Sequence, residues 1–357
     1  SLRATSINNC ASEDYISFYF GDKPVAAFSW ETECFHAGEM IAFSNGSSIK
    51  EGEITDYLWK FFDGDTYKIK TTKDAENLFD APGDYNVELF VSTSYGCTDT
   101  VLTTIHVRPT YSLEKGSSYF EGFESGPAGW ASSSINPEIN ALNSWEMGNP
   151  VEFNGAAEGD YTWYTHIGSD QPLAEQSQVT SPCFSFSEIF KPMIKFYMKR
   201  RFNTNRDGAI LQYTTDNWKT VITPVGKYEI GTTFKDGVVW NDGINWYNSF
   251  DIEGAPGGSV VGWSVLGVPD FNWIEARHSL DKLKGKTDVQ FRFAYGSDGT
   301  AKGTNGMAFD NIEIGERNKM TLIEHFTNSS DEASLPADSQ LDALANSNPL
   351  DIIDIQY

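Results

Sequence analysis

The sequence is short of the residues that carry most catalytic and metal chemistry. It has four cysteines, Cys10, Cys34, Cys97 and Cys183, and no two form a CxxC pair. Its five histidines, His36, His106, His166, His278 and His325, are far apart and fit neither HxxxH nor HExxH spacing. Zinc centres and Cys-nucleophile arrangements therefore have no support. A G-x-S-x-G elbow and a P-loop are also missing. Carboxylates are plentiful, but no spacing singles out a pair for acid–base work. An enzyme is not expected.

Positive charge is scarce as well, with 26 basic residues against 50 acidic and a formal net charge of −24. That balance leaves no basic face for nucleic acid. It favours solubility and hard cations such as Ca²⁺. No run approaches the ~18 apolar residues of a membrane-spanning helix, and no signal-peptide pattern appears. The chain opens at Ser1 and stops at Tyr357 inside the apolar run Asp351–Tyr357. It is therefore expected to be a piece of a longer mature protein.

What is present points to strands. Aromatic residues make up 14% and there are 31 glycines, while long amphipathic helices are lacking. At 357 residues the chain is long enough for two or three domains with their own cores. Between about 23 and 109, short alternating runs recur with turn residues between them: Val25–Phe28, Met40–Phe43, Tyr57–Trp59, Tyr85–Val91 and Val101–Val107. Val101, Thr103, Ile105 and Val107 share one face of a period-2 strand that Pro109 closes. Trp59 reads as a buried anchor, Asp63-Gly64 as a turn and Gly83 as a position of positive φ. Trp59-Lys-Phe-Phe-Asp-Gly64 and Ala81-Pro-Gly-Asp-Tyr-Asn-Val87 resemble the paired signatures of PKD modules, with Phe62 where that family carries glycine. The resemblance implies an immunoglobulin-like β-sandwich that serves as a spacer or interaction module.

Cys34 precedes the run Met40–Phe43 and Cys97 lies in a turn before the last strand, so a Cys34–Cys97 bridge across this sandwich is expected. On the chain-entropy model it would contribute about 4 kcal/mol. It would also place the protein in an oxidising compartment. Cys10 and Cys183 are not expected to pair.

From about 118 to 315 the runs Pro192–Met198, Ala209–Tyr213, Val289–Tyr295 and Met307–Ile314 alternate inward apolar with outward polar residues, which suits a two-sheet jelly roll. In order along the chain come Glu121-Gly-Phe-Glu-Ser-Gly126, Trp130, Trp145-Glu-Met-Gly-Asn-Pro150, Thr180-Ser-Pro182, Asp207-Gly208, Tyr213-Thr-Thr-Asp216, Trp263 and Phe309-Asp-Asn-Ile-Glu-Ile314. That succession resembles the cleaved-adhesin and MAM-like jelly rolls of surface and secreted proteins of Bacteroidetes. Relatives of this type carry a structural Ca²⁺ where the first strand meets the last. Carried over, the resemblance implies Glu124 and Asp310 as ligands, with Asp207 as a third. The alternative is that the acids cap turns or pair with Arg292 or another cation. Trp240, Trp246 and Trp263 lie in or near Gly- and Asn-rich loops and are the candidate ligand-binding residues. The loop Trp240–Trp246 is the best candidate rim, and core packing is the competing role for each tryptophan.

From 316 onward the pattern changes to strand, helix, strand: Met320–Phe326, Leu335–Ala345 and Asp351–Tyr357. It resembles the opening βαβ of a thioredoxin-like module whose redox position, within Asn328–Ser334, has no cysteine.

The expected division is therefore an extension at 1–22, a PKD-like sandwich at 23–109, a linker at 110–117, a jelly roll at 118–315 and a partial α/β thioredoxin-like segment at 316–357, in a mainly β chain. The resemblances imply an extracellular, cell-surface or outer-membrane-associated protein that binds a protein or glycan and has links to type IX secretion or gliding. A structural subunit of an outer-membrane complex is the alternative, and an accessory module of a secreted hydrolase a third.

Overall fold

The computed structural model describes residues 2–16, 21–136, 142–165, 174–202, 205–226, 243–264, 272–299, 306–317, 321–325, 339–343 and 352–356. The fold is mainly β, as expected. In the first sandwich a sheet of Phe28–Trp30, Met40–Asn45 and Ala75–Leu78 faces one of Thr66–Lys70, Ile54–Asp63, Gly83–Thr93 and Thr98–Val107. The strict alternation in Gly83–Thr93 puts Val87, Leu89 and Val91 in the core, where they meet Phe43, Trp59, Phe61, Ile105 and Val107. Trp59 is fully buried and its indole N–H donates to the Thr72 carbonyl at 3.0 Å. Tyr85 is tied back to the Ala81 carbonyl through its hydroxyl at 2.8 Å. Gly64, at φ 58°, makes the tight turn after Asp63. Gly83 does not have positive φ. It starts a strand, paired with Val107.

The second sandwich has larger sheets. One runs Thr110–Ser112, Gln176–Ser185, Val289–Gly296, Gly208–Thr214 and Thr223–Pro224, with Ala131–Ser134 beside Gln176–Ser185. The other runs Trp145–Gly148, Thr162–Thr165, Gly306–Glu316, Pro192–Arg201, Ile274–Ser279 and Gly243–Ile244, with Ser118–Glu121 beside Gly306–Glu316. Aromatic residues fill the space between them. The Phe293 and Phe309 rings stack at 4.0 Å between centroids, and Phe196, Trp130 and Trp263 close around them. In the last segment Thr321–His325 and Ile352–Gln356 pair in parallel, and residues 339–343 are helical. The segment Asn328–Ser334 lies outside the described residues.

Two expectations fail at the junction of the sandwiches. The stretch 110–117 is not simply a linker, because Thr110–Ser112 pairs in parallel with Cys183–Ser185 as a strand of the second sandwich. The disulfide is also not Cys34–Cys97 but Cys34–Cys183, with Cα atoms 5.6 Å apart. Cys97 and the exposed Cys10 are free thiols. Strand direction explains the correction. Cys34 bridges Arg108, just past the end of Thr98–Val107, whereas Cys97 immediately precedes the start of that strand. Ten residues at about 3.3 Å each separate the two ends by roughly 30 Å, far beyond the ~7 Å limit of a disulfide.

Cys183 reaches Cys34 because of a bulge. Between Thr180 and Cys183 the register against Val289–Gly296 gains a residue, and Pro182 sits within that irregularity. Before the bulge Val179 points into the core. After it Phe184 does, so Cys183 is turned to the outer face. Backbone bonds then run across the junction: Arg108 N–H to Glu33 O at 2.6 Å, Phe35 N–H to Arg108 O at 2.8 Å and Cys183 N–H to Pro109 O at 2.9 Å. Arg108 pairs with Glu33 at 3.0 Å and donates to the Gly129 carbonyl at 3.3 Å. His36 meets Asp288 at 2.6 Å. Gly129, at φ +85°, lets the chain pass Pro109, where a Cβ would lie 2.8 Å from Pro109 Cγ.

Peptide mapping without reduction is expected to recover a Cys34–Cys183 cross-linked peptide, with Cys10 and Cys97 alkylated. The paired change Cys34→Ser with Cys183→Ser is expected to cost about 3 to 5 kcal/mol of stability. A Cys34–Cys97 peptide would contradict this topology.

Candidate functional site

Among the residues singled out from the sequence, Glu124 and Asp310 come together. Asp310 lies on Gly306–Glu316 at 0% exposure, and its carboxylate accepts from the amides of Asn311 at 2.8 Å and Ala157 at 3.0 Å. Glu124 holds the same loop further along, accepting from Asp160 N–H at 3.0 Å and Tyr161 N–H at 2.9 Å. Gly159 is required there, since a Cβ would lie 2.4 Å from the Glu124 carboxylate. Burial raises the Asp310 carboxyl to about 6, only partly opposed by its amide donors, and the charge on Glu124 adds to the rise. Asp207 belongs elsewhere, on the opposite sheet, where it accepts from Asp298 N–H at 2.9 Å. Among the described residues no three His, Cys, Asp or Glu side chains are grouped to hold a metal ion. Neither acid pairs with Arg292, whose hydrogen bonds go to two glutamines.

The tryptophan expectation needs correction. Trp263 is 0% exposed, donates its indole N–H to Asn245 O at 3.1 Å and packs edge-on to Phe196 and Trp246. Trp246 is half-buried, bonded through its N–H to Val225 O at 2.8 Å and in ring contact with Tyr247, Trp263 and His278. Both fill the space under the sheets, because large rings with an N–H that can reach a carbonyl gain more from burial than from solvent. Trp240 lies outside the described residues.

A different set of residues, not picked out from the sequence, forms the more unusual environment. On the strand Val289–Gly296, Phe291, Phe293 and Tyr295 point into the core, which turns Gln290 and Arg292 to the outer face. Across that face one row reads Thr110, Cys183, Gln290, Thr214, and the next reads Thr180, Arg292, Gln212. Arg292 Nε donates to Gln212 Oε1 and Nη1 to Gln178 Oε1, both at 2.8 Å. Its guanidinium lies 4.5 Å from the centre of the Trp218 ring.

Trp218 is held there by its loop. The Asp216 carboxylate accepts from the hydroxyls of Thr214 and Thr220 and the amides of Thr220 and Val221, while Trp218 N–H donates to Thr214 Oγ1 at 3.0 Å. Burial disfavours the charge on Asp216, but these donors outweigh it and hold the carboxyl at about 2. Asn217 and Trp218 take φ of 56° and 60°, a conformation that non-glycine residues adopt only when their surroundings impose it.

This face adjoins the first sandwich. Cys183 is bonded to Cys34, and Lys219, next to Trp218, donates to the Glu31 carbonyl at 3.4 Å. The outer face of the second sandwich and the edge of the first thus form a seam. Three polar atoms on or over this face have no hydrogen-bond partner among the described residues: Trp218 Nε1, Gln290 Nε2 and Thr110 Oγ1.

The comparisons bear on the first sandwich most directly. Residues 21–107 match the PKD domain family. The PKD1 domain of Vibrio anguillarum Epp is 27% identical over 25% of this chain and 96% of its own, with a TM-score of 0.22. The K1 cleaved adhesin domain of Lys-gingipain from Porphyromonas gingivalis is 15% identical over 57% of this chain and 100% of its own, with a TM-score of 0.35. A structure of carbohydrate-binding modules from the β-sandwich superfamily is 16% identical over 84% of this chain and 100% of its own, at a TM-score of 0.32. No curated protein matches the sequence. Among the described residues no helix is long and apolar enough to cross a membrane.

Proposed function

We propose that this chain is a non-catalytic binding protein of the cell surface, with a PKD-type spacer carrying a jelly roll that holds a glycan at the seam between them. One observation carries this reading: the outer sheet face presents Arg292, Gln178, Gln212, Gln290 and, folded over it, Trp218, a mixture of amides, a cation and an aromatic ring, with N–H donors left unmatched among the described residues. Amides and guanidinium match sugar hydroxyls and acids, and aromatic edges exclude water beside them. The bound ligand stays chemically unchanged in this account. Placement outside the cytosol follows from the Cys34–Cys183 disulfide, which a reducing compartment would not sustain. A link to type IX secretion or gliding rests on the family resemblance alone and belongs to this proposal.

The expected result is saturable binding of the labelled chain to glycans on an array, with the glycans recovered intact. A blank array together with stoichiometric co-purification of a membrane channel from native outer membranes would instead make the chain a structural subunit.

The acid corner supports a second role, as a calcium site. Its side-chain donors are all oxygen, from Glu124 and Asp310, with the Asn311 and Glu158 side chains bonded to each other beside them at 3.1 Å. Oxygen donors suit a hard cation, which when bound would offset the charge of two carboxylates held close together. These acids clamp the 157–161 loop through its amides. Millimolar calcium is expected to raise the melting temperature of the wild-type chain and not that of Glu124→Gln or Asp310→Asn. An equal response in all three would remove calcium from this corner.

A further inference from the structure

Among the described residues Arg292 has no acid. The chain carries 50 acidic residues, yet among the described residues this guanidinium, 5% exposed, is bonded only to two neutral amide oxygens and a ring face. Burial alone pulls it down to about 10, with no neighbouring carboxylate to oppose the shift. Desolvating a cation without a counter-charge is costly, and folded proteins rarely leave one in that state. Asp216, the acid of the Trp218 loop, is spent on that loop through Thr214, Thr220 and Val221, and Asp288, four residues from Arg292, meets His36.

Three further features turn an uncompensated cation into a site. Gln212 and Gln178 accept from Nε and Nη1 and fix the guanidinium plane, leaving Nη2 unengaged among the described residues. Among the described residues Gln290, 1% exposed and one row along the same face, has an Nε2 with no partner, and Trp218 has an Nε1 with none. The unmatched nitrogen groups here are all donors. A cluster of donors with one positive charge asks for an anion with several lone pairs, and a planar carboxylate meets a guanidinium edge in that way. The surrounding groups are neutral hydroxyls and amides, including Thr180, Gln178 and Ser133, bonded to Gln178 at 3.2 Å. They match the hydroxyls of a sugar better than the charges of an acidic peptide.

We infer that the seam recognises a carboxylate-bearing sugar, a glycan with a uronic or sialic acid unit, through Arg292, with Trp218 Nε1 and Gln290 Nε2 completing the donor set. This rests on the glycan-binding reading above and adds the identity of the sugar. The net charge of −24 does not forbid it, because exposed charges beyond a Debye length of about 8 Å are screened at physiological salt.

The test uses the full chain on an array of carboxylated, sulfated and neutral glycans, followed by titration of the best carboxylated oligosaccharide and of the same compound with its carboxyl reduced to the alcohol. Binding is expected to be confined to carboxylated glycans and to fall at least about tenfold on carboxyl reduction or in Arg292→Lys, which keeps the charge but loses the fork. Trp218→Phe, which keeps an aromatic ring over Arg292 and loses the indole N–H with its five-membered ring, is expected to weaken binding about threefold with the chain still folded by circular dichroism. The carboxyl-reduced ligand needs no protein variant, so the test survives if Arg292→Lys fails to fold. Binding of neutral sugars that ignores carboxyl reduction and Arg292→Lys would overturn this inference and leave the glycan reading standing. Binding of a glutamate-rich peptide in place of any sugar, or of nothing, would overturn both.

Discussion

The architecture depends on a two-residue connection between the last strand of one sandwich and the first strand of the next. Thr98–Val107 ends the first core, and only Arg108 and Pro109 separate it from Thr110–Ser112, which is already paired in the second. So short a connection fixes the relation of the two bodies only if something prevents rotation about it. The Cys34–Cys183 bond does so, together with the Glu33–Arg108 pair and the backbone bonds on either side of Pro109. The PKD-type module is therefore more than a spacer here. Its edge forms one wall of the seam.

The seam explains an otherwise awkward feature of the larger sandwich. Outer sheet faces normally meet water, where an arginine and three glutamines would be fully solvated. With the first sandwich bonded beside it and the Trp218 loop folded over it, the face is desolvated and its donors lose their usual partner. Unmatched donors persist in a folded protein when the rest of the structure enforces them. The enforcement here is visible in the Asp216 hydrogen bonds and in the left-handed backbone at Asn217 and Trp218.

Much of the fold was legible in residue order. Period-2 alternation located the strands, because a pleated strand with one buried face can hardly be written otherwise, and the Trp59 and Gly64 signatures marked the PKD-type turn. The disulfide was misread because spacing along the chain says nothing about which end of a strand a cysteine occupies. The one-residue bulge at Pro182 that turns Cys183 outward has no counterpart in a regular pattern. Trp263 was read as a candidate ligand-binding residue because Gly-rich surroundings resemble loops, and its carbonyl partner on Asn245 is a tertiary fact. The outward placement of Gln290 and Arg292 could be read from the alternation of Val289–Tyr295. That Arg292 lacks an acid among the described residues could not, since a missing partner exists only in three dimensions.

The central claim is that the two sandwiches are fixed against each other by the disulfide and the short Arg108-Pro109 connection. Small-angle X-ray scattering of the oxidised chain, compared with the chain carrying both Cys34→Ser and Cys183→Ser, tests it most directly. The account predicts that one fixed arrangement fits the oxidised profile and that the variant shows a larger radius of gyration and a broadened distance distribution. Superimposable profiles, or an oxidised chain that already requires a spread of arrangements, would contradict it.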